Sequence, residues 1–335
     1  MRDLTIAQLL EKYPFVVSYF TENKLDVKDA GDKTFSQFLE AIDSYQLEDR
    51  AIDKEKLESD LWLFIEQMAE FLNLKNDFVV ESLTILPGQD KFSNKEKFVE
   101  LTIRRSEIIS IVGPTGSGKS RLLADIEWMA QNDTPTKRAV LINGEKPNSE
   151  WRFSSNKKLV AQLSQNMNFV MDLTVEEFLR LHAESKMRED VDEIVDKIVE
   201  KANDLSGEKF VLSTPVTSLS GGQSRALMIA DTALLSNAPI VLIDEIENAG
   251  IDRKKALELL VSENKIVLMA THDPILALAA DKRIVIKNGG IERVLATSAE
   301  EKKLLSELEK FDDTIQNMRH KLRAGEALQS IEIKG

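Results

Sequence analysis

The sequence contains no cysteine and only three histidines among its 335 residues. Without cysteine the chain forms no disulfide, holds no iron–sulfur cluster through its own thiolates and has no thiol nucleophile. Three histidines leave little scope for a zinc site built on imidazole ligands. These absences direct the search for chemistry toward carboxylate, hydroxyl, amine and backbone groups.

Positive charge and long apolar runs are also scarce. Lys and Arg number 44 against 57 Asp and Glu, a net charge of −13, which argues against a nucleic-acid partner without excluding a local basic patch. No apolar run approaches the roughly 18 residues of a membrane span, and the first residues do not resemble a signal peptide. We therefore expect a soluble, cytoplasmic protein, large enough to contain more than one structural unit.

A glycine-rich loop follows the apolar run 107–112 and precedes a helix-forming stretch. It fits the pattern G-x-x-x-x-G-K-[ST]. Its members are Gly113, Pro114, Thr115, Gly116, Ser117, Gly118, Lys119 and Ser120. The glycines let successive amide N–H groups point at a phosphate chain, and the helix N-terminus adds partial positive charge. The loop predicts a nucleotide site, with Lys119 on the β- and γ-phosphates and the Ser120 hydroxyl on Mg²⁺.

Two further apolar runs end in polar residues suited to the same site. Residues 239–245 read as a buried parallel strand that ends in Asp244 and Glu245, and residues 265–271 read as another that leads to His272. Ligands of open α/β sheets bind at the carboxyl ends of strands. We expect Asp244 to hold Mg²⁺ through its water shell, Glu245 to accept a proton from the attacking water, and His272 to contact the γ-phosphate.

A second anion-binding element is predicted at LSGGQ, residues 219–223. A helix that opens with Ser-Gly-Gly presents its N-terminal amides to an anion, and the sequence stays helix-forming up to Leu235. The residues expected to make this contact are Ser220, Gly221, Gly222 and Gln223. Nothing in one chain requires two anion sites so far apart in sequence.

These motifs, in this order, resemble those of the ATP-binding cassette (ABC) ATPases, over residues 78–298. In that family the LSGGQ signature of one cassette closes over ATP held by the phosphate loop of another. The resemblance identifies Asp244 as the Walker B aspartate, Glu245 as the catalytic glutamate and His272 as the switch histidine. It also implies that Gln165 is the Q-loop glutamine, which touches Mg²⁺ and the nucleophilic water; Gln162 is the competing candidate.

The sequence departs from the family pattern at three places. Arg121, which we count among the nucleotide-binding residues, stands where Thr is common. The segment after Glu245 looks one residue longer than a typical D-loop, so the equivalence of Asp252 to the family's D-loop aspartate stays open. For the aromatic side chain that stacks on adenine we name Phe92, although a core or exposed Phe without that role fits its position equally.

The predicted fold class is α/β: an ABC-type P-loop ATPase with a RecA-like core and a helical subdomain at about 170–234. Residues 1–77 have the sequence pattern of helices. We expect them to serve either as a partner-docking domain or as a plain structural cap. The cassette takes residues 78–298. In residues 299–335 we expect an amphipathic helix whose heptad seam is Leu304, Leu308, Phe311, Ile315, Met318 and Leu322. This seam either packs back on the protein or forms a dimer contact.

Function is predicted as hydrolysis of ATP, with Mg²⁺, at a composite site between two cassettes, in a homodimer or a pair. The segments GSGKSRLLADIE (116–127), DTPT (133–136) and DEIENAG (244–250) also resemble component A2 of the methyl-coenzyme M reductase activating system. That resemblance implies remodelling or activation of a soluble client, a protein or metalloenzyme complex. The alternative is the ATP-binding subunit of an ABC transporter with separate membrane subunits.

Overall fold

The computed structural model describes residues 4–27, 30–41, 54–71, 79–148, 151–152, 158–164, 169–245 and 250–327. The chain divides into two compact units, residues 1–79 and 80–335, which are described separately. Within the described ranges, no helix combines the length and the apolar character needed to cross a membrane.

The first unit is built from short helices around an aromatic core. They are α1 (Ile6–Lys12), α2 (Val16–Glu22), α3 (Phe35–Ala41) and α4 (Lys54–Phe71). Thr5 caps α1 through a capping box with Gln8. Residues 42–53 and 72–78 of the predicted helical region lie outside the described part of the chain. The rings of Phe20 and Phe35 stack in the core, with centroids 5.7 Å apart.

The second unit contains two sheets. Their strands are β1 (Ser82–Leu86), β2 (Leu101–Arg104), β3 (Ile108–Val112), β4 (Ala139–Ile142), β5 (Val160–Leu163), β6 (Ile240–Asp244), β7 (Ile266–Ala270), β8 (Lys282–Lys287) and β9 (Gly290–Ala296). The main sheet has the order β5-β6-β7-β3-β8-β9 and is parallel except for β9. A smaller antiparallel sheet has the order β2-β1-β4.

Burial on both faces explains why the central strands could be recognised in the sequence. Every residue of β7 is buried, as are the first four of β6, and both strands are continuous runs of Ile, Val, Leu and Met. A strand covered by helices on both sides needs no polar face, so its apolar residues do not alternate. Because β6, β7 and β3 are parallel neighbours in the main sheet, their carboxyl ends lie at one edge of it.

Helices surround the main sheet and supply the remaining functional segments. They are α5 (Lys119–Glu127), α6 (Val175–Ser185), α7 (Val191–Leu205), α8 (Gly221–Leu234), α9 (Arg253–Ser262), α10 (Pro274–Ala279) and α11 (Ala299–Arg323). Helices α6, α7 and α8 share an apolar core that includes Leu179, Ile198 and Leu227. They occupy the region in which the sequence predicted helices between the phosphate loop and β6.

Candidate nucleotide-hydrolysis site

The phosphate loop joins β3 to α5 in a conformation that depends on glycine. Gly118 precedes α5 with φ 108°, and a Cβ atom at this position would lie 2.8 Å from Cα of Gly289. At Gly113 a Cβ would come within 2.5 Å of the Ile286 carbonyl oxygen. The Gly289 N–H donates to the Ser117 carbonyl at 2.7 Å. The turn between β8 and β9 therefore supports the loop from behind and leaves no room for a side chain there.

Lys119 is buried, and its ammonium group lies between the first residue of the loop and His272. Its Nζ donates to the Gly113 carbonyl oxygen at 3.0 Å and lies 3.0 Å from Nε2 of His272. Because an ammonium group only donates, Nε2 accepts this hydrogen bond in the tautomer that carries its proton on Nδ1. The structure thus brings two predicted phosphate ligands, 153 positions apart in sequence, into direct contact.

His272 is held in place by hydrogen bonds on either side of it. The Thr271 N–H donates to the Ile111 carbonyl at 3.1 Å, which joins the switch segment to β3. Asp273 caps α10 by accepting from the Ile275 N–H at 2.7 Å. The guanidinium group of Arg253, in the first turn of α9, pairs with Asp273 and with Asp312 of α11. The sequence reasoning did not single out this arginine, whose two partners come from distant segments.

Glu245 follows β6 directly and faces the same edge of the sheet. Its carboxylate Oε1 lies 3.6 Å from Nε2 of His272. Its φ of 53° is in the left-handed region, and its N–H donates to the Ala270 carbonyl at 3.0 Å. Asp244 is in register with Ala270 at the end of β6. The predicted base and the predicted phosphate contact therefore lie side by side.

A small cavity adjoins the two carboxylates. It is lined by the ends of β5 and β6 and by α8, including Ser164, Arg225, Asp244 and Glu245. Gln165, the predicted Q-loop glutamine, is the next residue after Ser164 and lies outside the described part of the chain. The competing Gln162 is inside β5, level with Leu242 and so two positions before the edge where Asp244 lies.

The signature begins α8, as the sequence predicts. Ser220 caps the helix, because its Oγ accepts from the Gln223 N–H at 3.3 Å and the Gln223 Oε1 accepts from the Ser220 N–H at 2.8 Å. Ser220 and Gly221 are exposed and Gly222 is half-buried. Gly250 approaches Gly222 closely, since a Cβ built on Gly250 would lie 4.0 Å from the Gly222 Cα. The end of the D-loop is thus adjacent to the signature.

Asp252 has a structural role that the sequence comparison did not anticipate. Its carboxylate caps α9 by accepting from the Lys255 N–H at 3.1 Å, and its own N–H donates to the Leu205 carbonyl at 2.8 Å. Residues 246–249 of this segment lie outside the described ranges. The equivalence of Asp252 to the D-loop aspartate stays a prediction.

Phe92 lies in the loop between β1 and β2, with 63% of its surface exposed. The N–H of its neighbour Lys91 donates to the Asn288 carbonyl at 2.9 Å, beside the turn that supports the phosphate loop. The carboxylate of Asp90 accepts from the Phe92 N–H at 2.8 Å. A hydrogen bond from the Asn94 side chain holds the pKa of Asp90 below its usual value. The ring is therefore exposed on an ordered loop near the phosphate loop, where a stacking role remains a prediction.

A buried ion-pair network joins this loop to α5 and to the turn. Arg138 is fully buried and donates to Glu96 at 2.6 Å, to Asp125 at 2.8 Å and to the Gly289 carbonyl at 2.9 Å. Glu96 also accepts from the N–H groups of Gly88 and Ile291. Sequence reasoning missed this network. Its one sequence signal is a charged residue directly before the apolar run of β4.

Comparison with known proteins supplies the biochemical context. A family model described as ABC transporter matches residues 97–248. An uncharacterized ABC transporter ATP-binding protein of Methanocaldococcus jannaschii, MJ0121, is 51% identical over 262 residues, which cover 76% of this chain and 99% of the relative. MJ0796 of the same organism is also named as an uncharacterized ABC transporter ATP-binding protein. It is 34% identical over 211 residues, which cover 59% of this chain and 87% of the relative.

Solved structures agree with these relatives. The dimeric cassette MJ0796, in a post-hydrolysis state with ADP and Pi, superimposes with a TM-score of 0.50 at 26% identity, over 65% of this chain and 99% of that chain. CbiO1 of Clostridium perfringens, described as part of the ABC transporter complex cbiONQ, gives a TM-score of 0.52 at 22% identity, over 73% of this chain and all of that chain. The second likeness concerns the fold alone.

Proposed function

This chain belongs to the ATP-binding cassette family and hydrolyses ATP to ADP and phosphate, and we propose that it uses this reaction to remodel or activate a protein or metalloenzyme complex. The predicted α/β cassette fold is confirmed by the structural neighbours. Family membership fixes the chemistry but leaves open which residues perform it and what the free energy of hydrolysis drives.

The proposed residue roles rest on the cluster of Lys119, His272 and Glu245 at the edge of the main sheet. Lys119 and His272 bind the γ-phosphate in this proposal, and Glu245 removes a proton from the water that attacks phosphorus. The backbone N–H groups of the phosphate loop bind the remaining phosphate oxygens, with Arg121 at the start of α5. Phe92 stacks on adenine.

The residues present also fit Mg²⁺. This ion keeps several water ligands and takes few from the protein, so the Ser120 hydroxyl, the Asp244 carboxylate and the Gln165 amide suffice. When bound, Mg²⁺ would neutralise negative charge on the phosphates.

The partner in hydrolysis is a second cassette. The MJ0796 cassette is dimeric in its solved structures. By analogy, Ser220, Gly221, Gly222 and Gln223 of one copy would contact the γ-phosphate held by the other copy. Exposure of Ser220 and Gly221 at the N-terminus of α8 supports this role, because an incoming anion can approach the Ser220 hydroxyl and the Gly221 N–H there.

The remodelling role rests on the first structural unit. Residues 1–79 have an apolar core of their own, whereas MJ0121 is matched along 99% of its length by 76% of this chain. A separate helical unit attached to a cassette can transmit closure of two ATP-bound copies to a bound client. The resemblance of residues 116–127, 133–136 and 244–250 to component A2 suggests a metalloenzyme as that client.

A transporter role is the second candidate, favoured by the names of the relatives. Both M. jannaschii proteins are called ABC transporter ATP-binding proteins. In that case a membrane subunit on another chain would be the partner, and residues 1–77 would be dispensable for its binding.

Deletion of residues 1–77 separates the two candidates. We expect the truncated protein to keep most of its ATPase activity, because the deletion spares the complete cassette, and to lose a client that co-purifies with the full chain from the native cell. Full-length Lys119→Ala is the matched control, since it retains the helical unit. Recovery of integral membrane proteins by the truncated chain would instead support the transporter role.

A further inference from the structure

Helix α11 carries an apolar face that the rest of the described second unit leaves exposed. Leu304, Phe311, Ile315 and Leu322 are between 47% and 57% exposed. Their spacings of seven, four and seven residues place them within about 20° of one line along the helix, at about 100° per residue. Leu308 and Met318, half-buried, complete the heptad seam on its flanks. Four large apolar side chains aligned in this way are typical of a helix that packs against another helix.

Ion pairs beside and behind the seam fix the orientation of α11. Glu301 pairs with Arg283 at 2.7 Å, Asp312 with Arg253 at 2.7 Å, and Glu309 with Lys254 at 3.2 Å. These three acidic residues lie between about a sixth and two fifths of a turn away from the seam around the helix. The helix is therefore attached to the rest of residues 80–335 through ion pairs, and these contacts leave its apolar face uncovered within the second unit.

We propose that this seam is a self-association surface, on which α11 of a second copy lies antiparallel. The distribution of charged residues along α11 favours a second copy of this helix as the occupant and favours the antiparallel direction. Residues 299–313 contain six acidic and three basic residues, whereas residues 314–323 contain three basic and no acidic residues. Antiparallel pairing places the basic end of each helix beside the acidic part of the other. Parallel pairing would align like charges.

The seam also has the symmetry required for antiparallel pairing. With residue 313 at the centre, Leu304 lies opposite Leu322 of the second copy, and Phe311 lies opposite its Ile315. Each contact occurs twice, as in an isologous dimer. The seam spans about two and a half heptads, which is short for an isolated coiled coil. The attached cassettes raise the effective concentration of one helix near the other.

Introduced cysteines test this arrangement directly, because the natural chain has none. Leu304→Cys and Leu322→Cys proteins would be purified separately and oxidised without nucleotide, alone and as a mixture. We expect a disulfide-linked dimer only in the mixture. The control is a mixture of Ser306→Cys and Asn317→Cys, two exposed positions on the other side of the helix. Its yield of disulfide-linked dimer measures crosslinking by random collision. Crosslinking of Leu304→Cys with itself, or a yield no higher than that of the control mixture, would overturn the proposal.

A charge on the seam provides the second test. Phe311→Glu should weaken nucleotide-free association about tenfold or more, measured by sedimentation equilibrium, because a large apolar side chain loses its buried site. Asn317→Glu adds the same charge elsewhere and should leave association unchanged. Circular dichroism and basal ATPase activity verify that both variants are folded. Equal association of the two variants, or a monomeric parent protein, would show that the seam serves another occupant such as the first helical unit. Because no nucleotide is present, the result does not depend on the composite ATP site.

Discussion

Glu245 combines an unusual backbone conformation with the position of the proposed base. A φ of 53° in a residue with a side chain costs about 1–3 kcal/mol. The hydrogen bond from its N–H to the Ala270 carbonyl, 3.0 Å long, fixes this conformation to the neighbouring strand β7. Such strain persists where surrounding structure over-determines it, and it keeps the carboxylate close to His272.

We expect Glu245→Gln to retain ATP binding while hydrolysis falls by roughly 10²–10⁴-fold, because the amide cannot accept the proton of the attacking water. Lys119→Ala should instead lose affinity for ATP, since it removes the ammonium group beneath the loop. Phosphate release gives the rate, and titration with a fluorescent ATP analogue gives the dissociation constant. Hydrolysis near the wild-type rate in Glu245→Gln would contradict the assigned role.

The buried ammonium group of Lys265 should make the free energy of unfolding depend on pH in alkaline solution. Burial lowers the pKa of its ammonium group from 10.5 to about 8. Between pH 8 and about 10.5 the unfolded chain therefore binds more protons at this site than the native chain, so the free energy of unfolding should rise with pH. Below pH 8 both states are protonated and the burial of the charge destabilises the fold.

The comparison is with Lys265→Met, which removes the titrating group. Urea unfolding of both proteins at pH 7.5, 9 and 10 would give the difference in unfolding free energy, in which contributions of other groups cancel. We expect the parent protein to gain stability relative to the variant as pH rises. A constant difference would show that the pKa of Lys265 is the same in both states.

At the scale of elements, Arg138 joins three segments that contact or adjoin the nucleotide site. Its guanidinium group contacts the Glu96 loop, the Asp125 side chain of α5 and the turn at Gly289. Arg138→Met should lower the free energy of unfolding by about 3–5 kcal/mol, because it leaves two carboxylates buried without their cation. Arg105→Met, which breaks the exposed pair with Glu81, should cost less than about 1 kcal/mol. Denaturant unfolding of both variants makes the comparison, and equal losses would contradict it.

The elements differ in how well the sequence predicts them, for a physical reason. Strands β3, β6 and β7 and the phosphate loop are encoded locally, in apolar runs and in glycines next to Lys119. The Arg138 network links residues up to 195 positions apart, and no local pattern specifies such pairs. The exposure of the α11 seam likewise depends on tertiary ion pairs. The sequence left open whether this seam packs back or forms a dimer contact. Within the described second unit the seam is exposed, while acidic residues elsewhere on the helix form ion pairs with the rest of that unit.

At the scale of the whole molecule, the proposed composite site makes assembly depend on nucleotide. Glu245→Gln with ATP and Mg²⁺ should accumulate as a dimer in light scattering, because hydrolysis no longer separates the cassettes. The measurement uses the Phe311→Glu background, so that α11 does not hold two copies together without nucleotide. Adding Ser220→Arg should remove the ATP-dependent increase in mass, since the larger side chain blocks the N-terminus of α8. A mass independent of ATP in Glu245→Gln in this background would contradict a composite site between identical copies.

The capping box at Ser220 has a consequence for the entropic cost of this closure. In the cap the Ser220 oxygen accepts a hydrogen bond from the Gln223 N–H, which leaves the hydroxyl proton available as a donor. The side chain is thus already restricted to one rotamer before a phosphate from the second copy arrives. Little rotational entropy remains to be lost on contact, so the signature is pre-organised as a rigid hydrogen-bond donor within each separate cassette.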